Sequence, residues 1–182
     1  MSSDPGILSR LLGLLRPSAR STDHRRPSPH GSGGGDLSER SPGSFGLTAT
    51  REVEPPAPRG LRVTYAPKID GDPDAGEVVW TWVPFEENDG RGKDRPVLVI
   101  GRRDDAWVYA VKLTSKAHDG DRDFFPIGSG PWDSQGRPSW VDVDQVYLVH
   151  RDGMRREAAA LDGERFARVA ALLHKRFGWA LG

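Results

Sequence analysis

Residues 93–102 read KDRPVLVIGR, an apolar run that opens on an arginine joined to a proline. Residues 97–100 are near-continuously apolar, in the manner of a strand buried on both faces. Pro96 fixes its own φ and confines the residue before it to an extended conformation, which holds Arg95 at the mouth of that strand. Past the run, Asp104 and Asp105 turn the chain into AWVYAVKLTS (106–115), an antiparallel partner that completes a hairpin. Upstream, GEVVWTWVPF (76–85) alternates Val78, Trp80 and Trp82 against Val79, Thr81 and Val83, and Pro84 closes this earlier strand. The polar stretch EENDGRGKD (86–94) joins the two, with the Gly and Asn-Asp content of a mobile connection.

Downstream of the hairpin, residues 116–139 carry the Gly, Pro and Asp of a long irregular loop, relieved by a short strand over 124–127. WVDVDQVYLVHR (140–151) restores strict alternation and reads as one further strand. The last element, DGERFARVAALLHKRFGWAL (162–181), starts on Asp162 as an N-cap and sets Phe166, Val169, Ala170, Leu173 and Phe177 on one helical face. Strands followed by one terminal helix predict a mainly β protein, a small curled barrel with a helix packed on it.

Composition bounds the rest of the chain. All 6 Trp lie after residue 75, whereas residues 1–75 hold most of the Pro and clusters such as HGSGGGD (30–36). Such a segment buries too little apolar surface to offset the entropy of ordering it, so residues 1–75 are expected to be a disordered, low-complexity extension and residues 76–182 the folded domain. Within the extension, the apolar spacing over residues 6–16 predicts a short amphipathic helix ended by Pro17, without the basic start and small-residue cleavage site of a secretory signal. Lys plus Arg (26) equals Asp plus Glu (26), so any contact with nucleic acid has to be a local basic patch. With 0 Cys, disulfides, thiolate nucleophiles and Cys-type zinc sites are excluded. No stretch approaches the roughly 20 apolar residues that span a bilayer, and a cytoplasmic protein is expected.

Four segments, taken in order, resemble the MazF/PemK family of small ribonuclease toxins: GEVVWTWVPFEE (76–87), DRPVLVIGR (94–102), VKLTSK (111–116) and VDVDQVYLV (141–149). The resemblance extends from Gly76 to about Trp179 and implies an SH3-like β-barrel. It also implies the toxin of a type II toxin–antitoxin system, a metal-independent endoribonuclease needing no cofactor. In that reaction the ribose 2′-OH of single-stranded RNA attacks its neighbouring phosphorus and leaves 2′,3′-cyclic phosphate and 5′-OH ends. Implied partners are the RNA, a small acidic and partly disordered antitoxin, and a second copy of the chain as a homodimer.

By position, the resemblance gives Arg95 the charge stabilisation of the phosphorane and Thr114 a hydrogen bond to a phosphate oxygen. The residue types suit the work, because a guanidinium is a planar, permanently charged fork for phosphate. Ser115 could share the task of Thr114 if the register slips by one. Arginine is a poor general acid or base at neutral pH, so His118, Glu86 and Glu87 are the further candidates for proton transfer, ahead of His150 and His174. Arg91 and Lys93 are expected as phosphate contacts, and Phe124, Phe125 and Trp132 as stacking platforms for unpaired bases. Competing readings keep the aromatics as loop anchors and pair Arg95 with Asp94 or Asp144. The alternative for the whole domain is a catalytically inactive SH3-like module that binds nucleic acid or protein through the same groove; a DNA-binding regulator lacks a basic recognition helix.

Overall fold

The computed structural model describes residues 41–68, 70–87 and 89–182. The helix expected over 6–16 lies outside the described residues. Ten strands and one helix follow in order: β1 (Arg51–Val53), β2 (Arg62–Val63), β3 (Glu77–Pro84), β4 (Gly92–Arg102), β5 (Trp107–Thr114), β6 (Phe124–Gly128), β7 (Ser139–Asp142), β8 (Val146–His150), β9 (Met154–Ala160), α1 (Gly163–Phe177) and β10 (Ala180–Leu181). An antiparallel sheet runs β1-β8-β5-β4-β3-β9, β7 and β6 extend it from the end of β5, and β2 pairs in parallel with β10. The class is mainly β with one C-terminal helix; the hydrogen-bonded ring stays open between β1 and β9.

The apolar run of β4 is continuous because both faces of the sheet are covered. Leu98 and Ile100 join Val78, Val111, Leu113 and the inner face of α1 in one core. Val97 and Val99 join Val79, Val83, Val108, Ala110, Tyr147 and Val149 in a second core on the opposite face. Val97, Leu98, Val99 and Ile100 are all at 0% exposure, and burying each stabilises the fold by roughly 1.5–3 kcal/mol. α1 begins where the sequence predicts, with Asp162 Oδ1 accepting the Arg165 N–H at 3.0 Å, and ends on Gly178 in the left-handed region at φ 72°.

Two expectations change, and one strand is added. The segment 140–151 is two strands, because the Asp142 carboxylate accepts the N–H groups of Asp144 and Gln145 and turns the chain between β7 and β8. β9 was not legible, since MRREAAA has neither alternation nor β-branched residues; it is held by pairing with β3 at the sheet edge. The expected disorder through residue 75 does not hold for residues 41–68 and 70–75. β1 pairs with β8, Leu61 and Val63 enter the main core, and Pro56 O accepts the indole N–H of the fully buried Trp179. Pro42 O accepts the Trp82 N–H, and Gly43 beside it has φ +79° and no room for a Cβ, which would lie 2.4 Å from Thr81 Oγ1.

Candidate active site

β4 and β5 build the site between them. Their ladder ends at the pair Val97–Lys112; Arg95 stands two residues before Val97 and Thr114 two residues after Lys112, so each lies on the same face of its strand as that pair. A cavity of about 560 Å³ opens there, lined by Lys93, Arg95, Lys112, Thr114, Ser115, Lys116, His118, Phe124 and Arg137 among others. A second recess of about 320 Å³, under residues 83–87 and Arg91, shares Glu86, Arg95 and Lys112 with the first. The two recesses adjoin at these residues as two arms of one groove.

The charge of the groove is set by which cations are already paired. Asp94 is bound to Arg155 and Asp144 to Arg176, so neither pairs with Arg95. Among the described residues Arg95, Lys93 and Lys116 form no ion pair, whereas Arg137 is bound to Asp133 at 2.9 Å. Burial and then the Gln135 N–H and Arg137 act on Asp133 in opposite senses, and the hydrogen bonds and charge hold its carboxyl below the usual range. Thr114 Oγ1 accepts the Lys116 N–H at 3.2 Å, which fixes the hydroxyl and leaves its hydrogen to donate to an anion. Ser115 is exposed beside it.

His118 stacks on Phe124, with ring centroids 3.6 Å apart and planes within 10°, and its Nδ1 lies 3.5 Å from Asp121 Oδ2. Phe124 lines the groove through this pair. The other two aromatic platforms are elsewhere. Phe125 packs partly buried against the main core, because successive side chains of β6 point to opposite faces. Trp132 is 2% exposed, its Nε1 donates to Ser139 Oγ at 3.1 Å, and it anchors the 116–139 loop inside the protein, so it offers no face to a base. Arg91 stands at the rim of the smaller recess, its Nε 2.7 Å from Asp89 Oδ2 and its guanidinium over the Phe85 ring. His150 and His174 accompany Trp107 and the Trp179 carbonyl and do not line the groove.

Beneath Arg95 lies a polar network that the sequence reading missed. Lys112 Nζ donates to Gln145 Oε1, lies 3.2 Å from Asp142 Oδ2, and is 3.9 Å from Glu86 Oε1. Tyr147 donates to the same Gln145 oxygen at 3.0 Å. Burial, and then the charges of Glu52, Asp142 and Glu86, push the Tyr147 phenol far above its ordinary range against the pull of Arg95, so it remains a neutral donor. Desolvation likewise pushes the Glu52 carboxyl up; Lys112 opposes this, and Glu86, Asp142 and Asp144 add to it. The one signal available was Lys112 itself, a lone charge inside an apolar strand.

The family model described as "PemK-like, MazF-like toxin of type II toxin-antitoxin system" matches residues 74–177, more than half of the chain. Among solved structures, the chain is similar to the MazE–MazF crystal structure from Deinococcus radiodurans, with 23% identity over 58% of this chain and 96% of that one, and a TM-score of 0.44. It is also similar to an endoribonuclease from a mycobacterial species, at 16% identity over 59% of this chain and 94% of that chain, TM-score 0.42. A third is the Mycobacterium tuberculosis toxin MazF-mt6, at 18% identity over 56% and 97%, TM-score 0.41. No curated protein matches. The chain belongs to the PemK-like, MazF-like toxin family of type II toxin–antitoxin systems.

Proposed function

We propose that the chain is an endoribonuclease toxin that cleaves single-stranded RNA without a metal ion. The ribose 2′-oxygen attacks the adjacent phosphorus, the bond from phosphorus to the 5′-oxygen breaks, and the products carry a 2′,3′-cyclic phosphate and a 5′-OH. The 2′-OH gives up its proton, and the departing 5′-oxygen takes one. The observation that carries this reading is an arginine that forms no ion pair among the described residues and a threonine hydroxyl lining the same cavity, beside further cations. Charge develops on the nonbridging oxygens of the phosphorane, and donors held in place before the reaction stabilise it without reorganisation.

Arg95 supplies the fork and Thr114 the single donor. His118 and Glu86, which line the larger cavity, and Glu87, which lines the smaller recess, are the candidates for moving the protons. Phe124, backed by His118, stacks a base, and Lys93 and Arg91 steer the strand from the rim. The partner is an antitoxin whose acidic tail occupies this cationic groove in competition with RNA. The chain acts in the cytoplasm as a homodimer. Among the described residues no helix is long and apolar enough to cross a membrane.

The test is to incubate the full chain with a long single-stranded RNA in EDTA, beside Arg95→Ala. Discrete fragments ending in 2′,3′-cyclic phosphate are expected, with a rate about 10²–10³-fold lower in the variant, the usual effect of removing one donor to a developing oxyanion. Retardation of RNA on a gel without cleavage would replace this reading with a binding module.

A further inference from the structure

Lys112 is a cation built into the floor of the groove, and nothing described above uses it in the reaction. An ammonium carries three N–H donors. Gln145 Oε1 takes one of them, Asp142 Oδ2 stands 3.2 Å away as an ion-pair partner, and Glu86 Oε1 at 3.9 Å is beyond hydrogen-bond range. Both partners are themselves fixed: Asp142 is 3% exposed and accepts two backbone N–H groups, and Gln145 is oriented by the Tyr147 hydroxyl. The ammonium is therefore held in place with N–H capacity to spare, and Lys112 lines both arms of the groove, as Arg95 does.

Its surroundings are directional. On one side stand Arg95, Thr114 and Lys116, on the other a recess lined by Glu52, Glu54 and Asp144, with Glu86 shared between the two. A nucleic-acid backbone can follow the first side and is repelled by the second.

We propose that Lys112 gives a free N–H to a phosphate oxygen of the bound strand where the two arms of the groove meet, with Asp142 and Gln145 as the residues that position it. This rests on the reading of the groove as an RNA site and adds a phosphate contact to it. A lysine buried only to complete an ion pair would leave the salt dependence of binding unchanged when removed. A phosphate contact would not, because each one on a single strand contributes about 0.7 to the slope of log K against log salt.

The experiment measures binding of a fluorescent all-2′-deoxy oligonucleotide, which cannot be cleaved, to the full chain over a range of salt concentrations. It compares wild type, Lys112→Gln, Lys112→Arg and the double variant Lys112→Gln/Asp142→Asn. The double variant removes the buried carboxylate with its cation, so a fold weakened by a lone Asp142 does not obscure the result. The proposal expects a slope shallower by about 0.7 and binding about tenfold weaker in both Gln variants, with the slope restored by Lys112→Arg. An unchanged slope in a folded double variant overturns it while leaving the RNA reading intact. Absence of binding by wild type itself defeats the RNA reading, and the proposal with it.

Discussion

Replacing Trp132 by alanine separates the two things an aromatic residue in the 116–139 loop can do. The indole is 2% exposed and its N–H is bonded to the hydroxyl of Ser139, itself 3% exposed. Gly130 is shaped around the ring, since a Cβ there would lie 2.1 Å from two of its carbons. Truncating a buried Trp to Ala costs about 3–5 kcal/mol, and the Ser139 hydroxyl left without a partner belongs to the same order of loss. Taking about 4 kcal/mol, and roughly 3 °C per kcal/mol for a folded unit of this size, Trp132→Ala should melt about 12 °C below wild type. Thermal denaturation followed by circular dichroism reads this directly. Well below the transition, affinity for an uncleavable single strand should stay within about twofold, because the ring does not reach the groove. A variant that melts within about 3 °C of wild type yet binds RNA tenfold more weakly would refute the reasoning and restore Trp132 as a stacking platform.

Two further outcomes follow from the same structure. The fold raises the Glu52 pKa above its unfolded value, so its ionisation opposes folding: the penalty is absent below the unfolded pKa and complete above the raised one. Glu52→Gln should therefore be more stable than wild type at pH 7, with the difference vanishing toward pH 4; equal melting temperatures at pH 7 would count against it. A chain starting at residue 74, where the family match begins, loses Leu61 and Val63 from the core and the Pro56 carbonyl from Trp179, roughly 3–6 kcal/mol from the two side chains alone. It should melt far below a chain starting at residue 41, and melting within a few degrees would show that residues 41–73 are dispensable.

What was legible in the sequence is what short-range patterning decides. Residues 97–100 announced a strand buried on both faces, Pro96 announced the restraint on Arg95, and Asp162 announced the start of α1. The register between β4 and β5 was not legible: a bulge between Val99 and Gly101 shifts it by one residue, where the turn alone would have set Arg95 opposite Ser115. Residues 41–68 and 70–75 were not legible because their order comes from partners far along the chain: β1 from β8, β2 from β10, and Pro56 from Trp179. A Pro- and Gly-rich segment of low hydropathy can be ordered when something else supplies the surface, and composition alone carries no record of that. The role of Trp132 stayed open for a related reason. The sequence offers it as a stacking platform or as a loop anchor, and only the fold, which brings Ser139 and the main core to it, decides for the anchor.

The same long-range pairing resolves how a chain with equal numbers of acidic and basic residues presents a cationic groove. Neutrality of the whole says nothing about which charges remain uncompensated at one place. Asp94 is taken by Arg155, Asp123 and Asp144 by Arg176, Glu77 by Arg156, and Asp72 by Arg151, all through contacts between distant segments. Asp121 and Asp123 belong to the aspartate-rich stretch 119–123, which in sequence looks hostile to RNA. In the fold Asp121 turns to His118 and Asp123 to the end of α1, where a carboxylate beside Arg176 is no longer a free charge over the groove. Arg95, Lys93 and Lys116 are left over, on the face that the β4–β5 register makes continuous with Thr114. The basic character of the site is thus produced by sequestering acids as much as by supplying bases. Breaking the Arg176 pairs from the far side of the helix should for that reason weaken RNA binding, through two freed carboxylates, without altering any residue that lines the groove.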